Sequence, residues 1–131
     1  MATNWQGMNW IRPEKRLAIY LRDGMACCWC GTSVETEGTI LTLDHCRPRC
    51  KGGGNEASNL ITACKACNSA RGSKTLKDFS EYVIEKSGRS IEDTLRHIRN
   101  CRKRILPSKD RIEEMKARRT NIVRDCQAQE A

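Results

Sequence analysis

The chain has 131 residues, a net charge of +8, a pI near 9.2 and only 5% aromatic residues. That is the size of one ordinary domain with a modest aliphatic core, and its excess of Lys and Arg suits a polyanionic partner, nucleic acid first. No apolar run is long enough for a membrane span, and the opening MATNWQGMNWIRPEKR lacks the apolar stretch of a secretory signal. A reducing cytoplasm is therefore expected, where nine cysteines point to metal binding before disulfides.

Residues 1–11, polar with two tryptophans, read as an N-terminal arm. PEKRLAIYLR, from Pro13 to Arg22, predicts a helix: Pro13 suits the first turn, where a missing N–H costs nothing, and Gly24 suits the exit. Leu17, Ile19, Tyr20 and Leu21 are its expected buried face. CCWCGTS at 27–33 reads as a tight turn, Thr39 to His45 as a strand, and 46–58 as a loop around Pro48 and Gly52, Gly53 and Gly54. A second strand, Leu60 to Ala63, leads into a short helix, Lys65 to Arg71, ending at Gly72.

The remainder reads as helical. TLKDFSEYVIEKSG places Leu76, Phe79, Tyr82 and Val83 on one face, with Gly88 as the stop. Ser90, followed three residues later by Asp93, opens a helix carrying Ile91, Leu95, Ile98 and Arg102. Pro107 breaks the chain, and Ser108 caps a last helix running to about Arg124. The expected fold class is α+β, mainly helical, organised as an arm at 1–11, one domain at 12–88 and a basic helical extension at 89–131.

Two cysteine pairs carry the clearest chemistry. Cys27 and Cys30 form one C-x-x-C turn, Cys64 and Cys67 another. Each turn sets two thiolates on one side of a bend, and two such turns complete a closed tetrahedral Zn²⁺ site. The 33 residues between Cys30 and Cys64 exceed a simple zinc ribbon, so the ion would clamp the ends of an inserted strand and loop. Buried free thiols or a redox C-x-x-C are the bland alternative. Cys28, Cys46, Cys50, Cys101 and Cys126 are expected to be free thiols.

The chain holds two histidines. His45 follows Asp44 directly, at the end of an apolar run, with Arg47, Arg49 and Lys51 beyond it. A buried structural histidine does not need that setting, whereas a general base acting on a phosphate does. His97, between Arg96 and Arg99, is expected to face solvent with no role.

In this order the pieces resemble an HNH endonuclease of the ββα-metal (His-Me finger) superfamily, of the small free-standing bacterial or phage type with a Cys₄ zinc site. The resemblance runs from about Arg22 to Lys74, through RDGMACCWCG, LTLDHCRPRCKGGGNEASNL and ITACKACNSARGSK. It implies a short two-stranded hairpin plus helix, stapled by zinc and flanked by helices on both sides. It implies His45 as general base, and Asp44 and Asn68 as ligands of a catalytic Mg²⁺ or Mn²⁺. Asn59 would orient His45 by accepting from the ring N–H, or brace the loop. Products would carry 5′-phosphate and 3′-hydroxyl ends.

Arg47, Arg49, Lys51, Lys65, Arg71 and Lys74 form the expected phosphate-binding footprint, a source of affinity with little sequence reading. Arg71, at the family's basic position before Gly72, is the first expected backbone contact. The expected partner is DNA, bound by a monomer or homodimer, with other phage or bacterial DNA-processing proteins as further candidates. The competing class is a non-catalytic zinc-stapled DNA-binding module on the same scaffold.

Overall fold

The computed structural model describes residues 11–118. Helix α1 (Pro13–Arg22) has the predicted bounds, with Pro13 in its first turn and Gly24 beyond its end at φ 81°. Its burial is wider than the four predicted positions: Arg16, Leu17, Ala18, Ile19, Tyr20 and Arg22 are all buried, whereas Leu21 is only partly so. A helix buried on most sides needs partners for its polar groups. Arg22 pairs with Asp23 at 2.8 Å and 3.1 Å and donates to the carbonyls of Ala57 and Leu60 at 2.9 Å and 2.6 Å. Tyr20 donates its hydroxyl to the Leu41 carbonyl at 3.1 Å.

A one-turn helix that the sequence reading did not anticipate, α2 (Val34–Glu37), follows the first cysteine turn. Strands β1 (Leu41–His45) and β2 (Leu60–Cys64) then pair antiparallel, with Leu41 opposite Cys64 and His45 opposite Leu60. The loop between them holds two short 3₁₀ turns, Arg49–Lys51 and Ala57–Asn59. Helix α3 (Lys65–Arg71) follows β2 directly and completes the expected ββα unit.

Alternation along the hairpin sends its side chains to two different cores. Leu41, Leu43 and Leu60 join Leu17, Ile19, Tyr20, Met25 and Ile112. Ile61 and Ala63 join Trp29, Phe79, Val83, Ile98 and a group of cysteines. The hairpin is thus a thin middle layer, with α1 and the C-terminal Ile112 on one side and α3, Phe79, Val83 and Ile98 on the other.

The single helix expected after Thr75 is two: α4 (Leu76–Tyr82) and α5 (Ile84–Ser87). Val83 leaves helical geometry at φ −95°, ψ 4° and is buried in the second core. Tyr82, expected on the buried face, is 66% exposed and stacks on Phe79 with ring centroids 5.3 Å apart. In α6 (Ile91–Lys103), Ser90 Oγ accepts from the Asp93 amide at 3.1 Å, as the spacing predicted. Thr94, Ile98 and Cys101 are its buried residues. Ser108 Oγ accepts from the Arg111 amide at 3.2 Å at the start of α7 (Lys109–Arg118), which returns Ile112 to the first core. Residues 1–10 of the expected arm, the part of the expected last helix beyond residue 118, and Cys126 lie outside the described residues. No helix among the described residues is long and apolar enough to cross a membrane.

Candidate active site

The two C-x-x-C turns meet. The sulfurs of Cys27, Cys30, Cys64 and Cys67 lie within 4.8 Å of one another. In each turn the amide of the second cysteine points at the sulfur of the first: Cys30 N–H to Cys27 Sγ and Cys67 N–H to Cys64 Sγ, both at 3.4 Å. Those donors favour thiolate. Cys30 Sγ and Cys64 Sγ are 3.8 Å apart, which matches the edge of about 3.8 Å in a tetrahedron with Zn–S near 2.3 Å. Without a cation the four sulfurs cannot all ionise. A hydrogen bond from the Cys67 thiol holds Cys27 down to about 5, while the same bond and burial push Cys67 far up. A dication removes that conflict, and the cluster fits a zinc site.

Trp29 lies between the ligands of the first turn and is fully buried. Its indole N–H needs an acceptor there, and finds Asp44 Oδ2 at 2.9 Å. Asp44 Oδ1 takes Arg71 Nη1 at 2.7 Å. Burial pushes the Asp44 carboxyl up, and the Arg71 charge and the two hydrogen bonds oppose that shift. Arg71 also donates to the carbonyls of His45 at 2.8 Å, Cys46 at 2.6 Å and Lys74 at 3.1 Å, and its guanidinium lies 5.7 Å from the Trp29 ring centre. This corrects the expectation that Arg71 contacts a DNA phosphate. It is fully buried, all three guanidinium nitrogens are engaged, and it clamps the end of β1 to α3.

His45 follows Asp44 in β1, so their side chains leave on opposite faces. The His45 ring is half-buried, and Nε2 lies 2.9 Å from Asn55 Oδ1. Burial lowers its pKa; Arg49 and Arg71 push the same way, while the Asn55 bond and Glu56 oppose them. Asn59, one of two expectations for which was to orient this ring, does the other. Its Oδ1 accepts from the Arg47 amide at 2.9 Å, and its Nδ2 donates to the carbonyls of Arg47 and Gly54 at 3.2 Å and 2.9 Å. Asn59 braces the loop; Asn55 holds the ring. Gly53 is required by the same brace, because a Cβ there would overlap the Arg47 carbonyl and lie 2.9 Å from Asn59 Nδ2. Sequence reasoning missed Asn55 and Trp29, whose only signals were an asparagine after a glycine run and an indole inside a metal turn.

Asn68, in α3, donates Nδ2 to Thr42 Oγ1 at 2.9 Å and to the Leu43 carbonyl at 3.0 Å. It is therefore anchored to β1 at Thr42 and Leu43. Arg47, Arg49, Lys51, Lys65 and Lys74 are exposed. Several are pre-positioned on backbone: Arg47 Nε on the Lys51 carbonyl at 2.8 Å, Lys51 Nζ on Ser73 at 3.2 Å, Lys74 Nζ on Ala70 at 3.0 Å. Cys46 is buried, which pushes its thiol up to about 11 and keeps it protonated, whereas Cys50 is exposed. His97 does not simply face solvent: it is half-buried and meets Cys101, which in turn meets Cys28.

No curated protein and no solved structure gives a significant match to the chain. A family model described as HNH endonuclease matches residues 27–83, from Cys27 to Val83, the residue after α4. That match points to a nuclease or DNA-binding function, with DNA as the implied substrate. This segment, with its paired cysteine turns, Asp44–His45 and ββα unit, is thus similar to the HNH endonuclease family.

Proposed function

We propose that the chain is a metal-dependent DNA endonuclease that hydrolyses phosphodiester bonds, with His45 as general base. The observation that carries this reading is the half-buried His45 ring, held through Nε2 by Asn55 inside a basic loop. Asn55 Oδ1 also accepts from Arg49 Nη1 at 3.2 Å. An atom that accepts from arginine is the oxygen of the amide, so Nε2 carries the ring proton. The basic lone pair is then on Nδ1. Burial keeps the ring neutral near pH 7, the form that can take a proton from an attacking water. Arg71 grips the carbonyls of His45 and Cys46, and Asn59 ties both ends of the loop segment from Arg47 to Gly54, so the ring sits on a fixed frame. Arg47, Arg49, Lys51, Lys65 and Lys74 are the side chains offered to DNA phosphates.

Asp44 and Asn68 are the residues that would hold a divalent ion. The Leu43 carbonyl can only accept, which fixes the Asn68 nitrogen on that side, and no donor among the described residues takes its oxygen. Asp44 keeps further lone pairs, but its charge is already balanced by Arg71. This pair fits Mg²⁺ or Mn²⁺ held by few protein oxygens, with waters and the DNA phosphate completing the shell and supplying the missing charge. When bound, such an ion supplies a sink for the charge that develops on the leaving oxygen, and the ends formed would be 5′-phosphate and 3′-hydroxyl.

One observation favours a second reading, a zinc-stapled DNA-binding module without catalysis: Asp44 is buried and both its carboxylate oxygens already have partners. Plasmid cleavage with Mg²⁺ or Mn²⁺ separates the two readings, with zinc content checked in wild type and in His45→Ala. Conversion of supercoiled DNA by wild type, reduced about 10²–10⁴-fold in the variant, supports the nuclease. Open-circular product would mark nicking, natural for a monomer, and linear product a homodimer that cuts both strands. Zinc-loaded wild type that binds DNA and cuts nothing across metals and pH would leave the binding module.

A further inference from the structure

Three ligand-type side chains gather away from the four-sulfur cluster. Cys28 directly follows the ligand Cys27 in the first turn, and its sulfur lies 3.8 Å from that of Cys101. His97 and Cys101 are one helical turn apart on α6 and share a face, with His97 Nε2 3.6 Å from Cys101 Sγ. All three ligand atoms lie within 4.8 Å of one another. Cys28 and Cys101 are buried; His97 is half-buried.

These separations have a meaning. A tetrahedral ion with Zn–S near 2.3 Å and Zn–N near 2.0–2.1 Å sets its ligands about 3.8 Å apart for two sulfurs and about 3.6 Å apart for sulfur and nitrogen. Both values occur here, and the sulfur–sulfur value recurs in the Cys30–Cys64 pair of the first cluster. A disulfide would bring the sulfurs to about 2.05 Å. We propose that Cys28, His97 and Cys101 form a second metal site, for a thiophilic ion of which Zn²⁺ is the expected occupant, with the fourth position left to water or another small donor. Two thiolates balance a dication. The exposed Arg104 lies at the rim, with Nη1 4.0 Å from Cys101 Sγ. The site joins the first zinc turn to α6, so an ion there staples the helix of the C-terminal half to the HNH segment.

The test counts ions. Full-length protein is reconstituted with excess Zn²⁺ under reductant, freed of unbound metal by gel filtration, and assayed for zinc per chain. Wild type is expected to hold two equivalents, and Cys101→Ser and His97→Gln one each. Cys101 is buried and its variant could misfold, so His97→Gln, at a half-buried position, is the decisive arm, with circular dichroism reporting its fold. Cobalt substitution gives a second readout: losing the second ion removes two of six thiolate ligands, so the thiolate-to-cobalt absorption falls by about a third. One equivalent in wild type would reduce the trio to a thiol–imidazole hydrogen-bond cluster and overturn the proposal. So would two equivalents that both folded variants retain, since the second ion would then lie elsewhere.

Discussion

The two faces of the β hairpin solve the same problem, burying a thin sheet, with different chemistry. Towards α1 the packing is mainly aliphatic, Leu41, Leu43 and Leu60 against Leu17, Ile19 and Ile112, with the buried Arg22–Asp23 pair tying the helix end to β2. Towards α3, α4 and α6 they are sulfur, indole and a buried ion pair: Cys64 and Cys67, Trp29, and Asp44 with Arg71. The first face is held mainly by area removed from water, which fails gradually as groups are trimmed. The second is held by specific partners, which fail completely when one is lost. Asp44, Arg71 and Asn68 all belong to the second face, so the geometry of the proposed site depends on the fragile kind of stabilisation.

The largest expected effect breaks that comparison open. Stripping zinc with a strong chelator, or replacing Cys64 with Ser, should abolish cooperative unfolding, because structural zinc is worth on the order of 10 kcal/mol in small domains. Leu17→Ala on the other face should cost about 2–5 kcal/mol and leave a cooperative transition at a lower midpoint. Denaturation followed by far-ultraviolet circular dichroism measures both. A metal-free chain that unfolds at the wild-type midpoint would mean that hydrophobic burial alone holds the second face.

Arg71 comes next. Arg71→Met removes the partner of a buried carboxylate and should cost about 3–5 kcal/mol. Adding Asp44→Asn to that variant removes the orphaned charge and should recover part of the loss. Recovery would identify the cost as uncompensated charge; no recovery would identify it as the loss of the clamp on the His45 and Cys46 carbonyls. The two causes differ for the site, since only the second moves His45.

This ordering also explains what was legible in the sequence. The zinc turns were readable because each pair is three residues apart and its geometry is local. The ββα unit followed from an apolar run, a glycine loop and a second run in order, and α1 from its flanking Pro13 and Gly24. Arg71 was misread because a basic residue beside a glycine looks the same in sequence whether it points out or in. Its burial depends on how α3 lies across β1, which no local pattern encodes. Asn55 and Asn59 were interchangeable on paper; only the path of the loop around Gly53 decides which reaches the ring and which braces the backbone. The trio of Cys28, His97 and Cys101 was half readable, since His97 and Cys101 share a helix face. Cys28 is 73 residues away from Cys101 in sequence.

The smallest effect sharpens the contrast by testing where it ends. Ser90 caps α6, which packs into the ligand-held face, and Ser108 caps α7, which packs into the aliphatic one. If the faces differ only in their buried partners, Ser90→Ala and Ser108→Ala should each cost about 1 kcal/mol, the usual value of a side-chain cap. Both caps satisfy one amide at a solvent-exposed helix start, and neither touches a ligand. A much larger loss for Ser90→Ala, read from denaturant midpoints at saturating zinc, would mean that α6 is registered by its first turn. Cys101 would then be carried out of reach of Cys28 by a change three turns away, and the fragility of the second face would extend along the helix rather than stopping at its metal-type side chains.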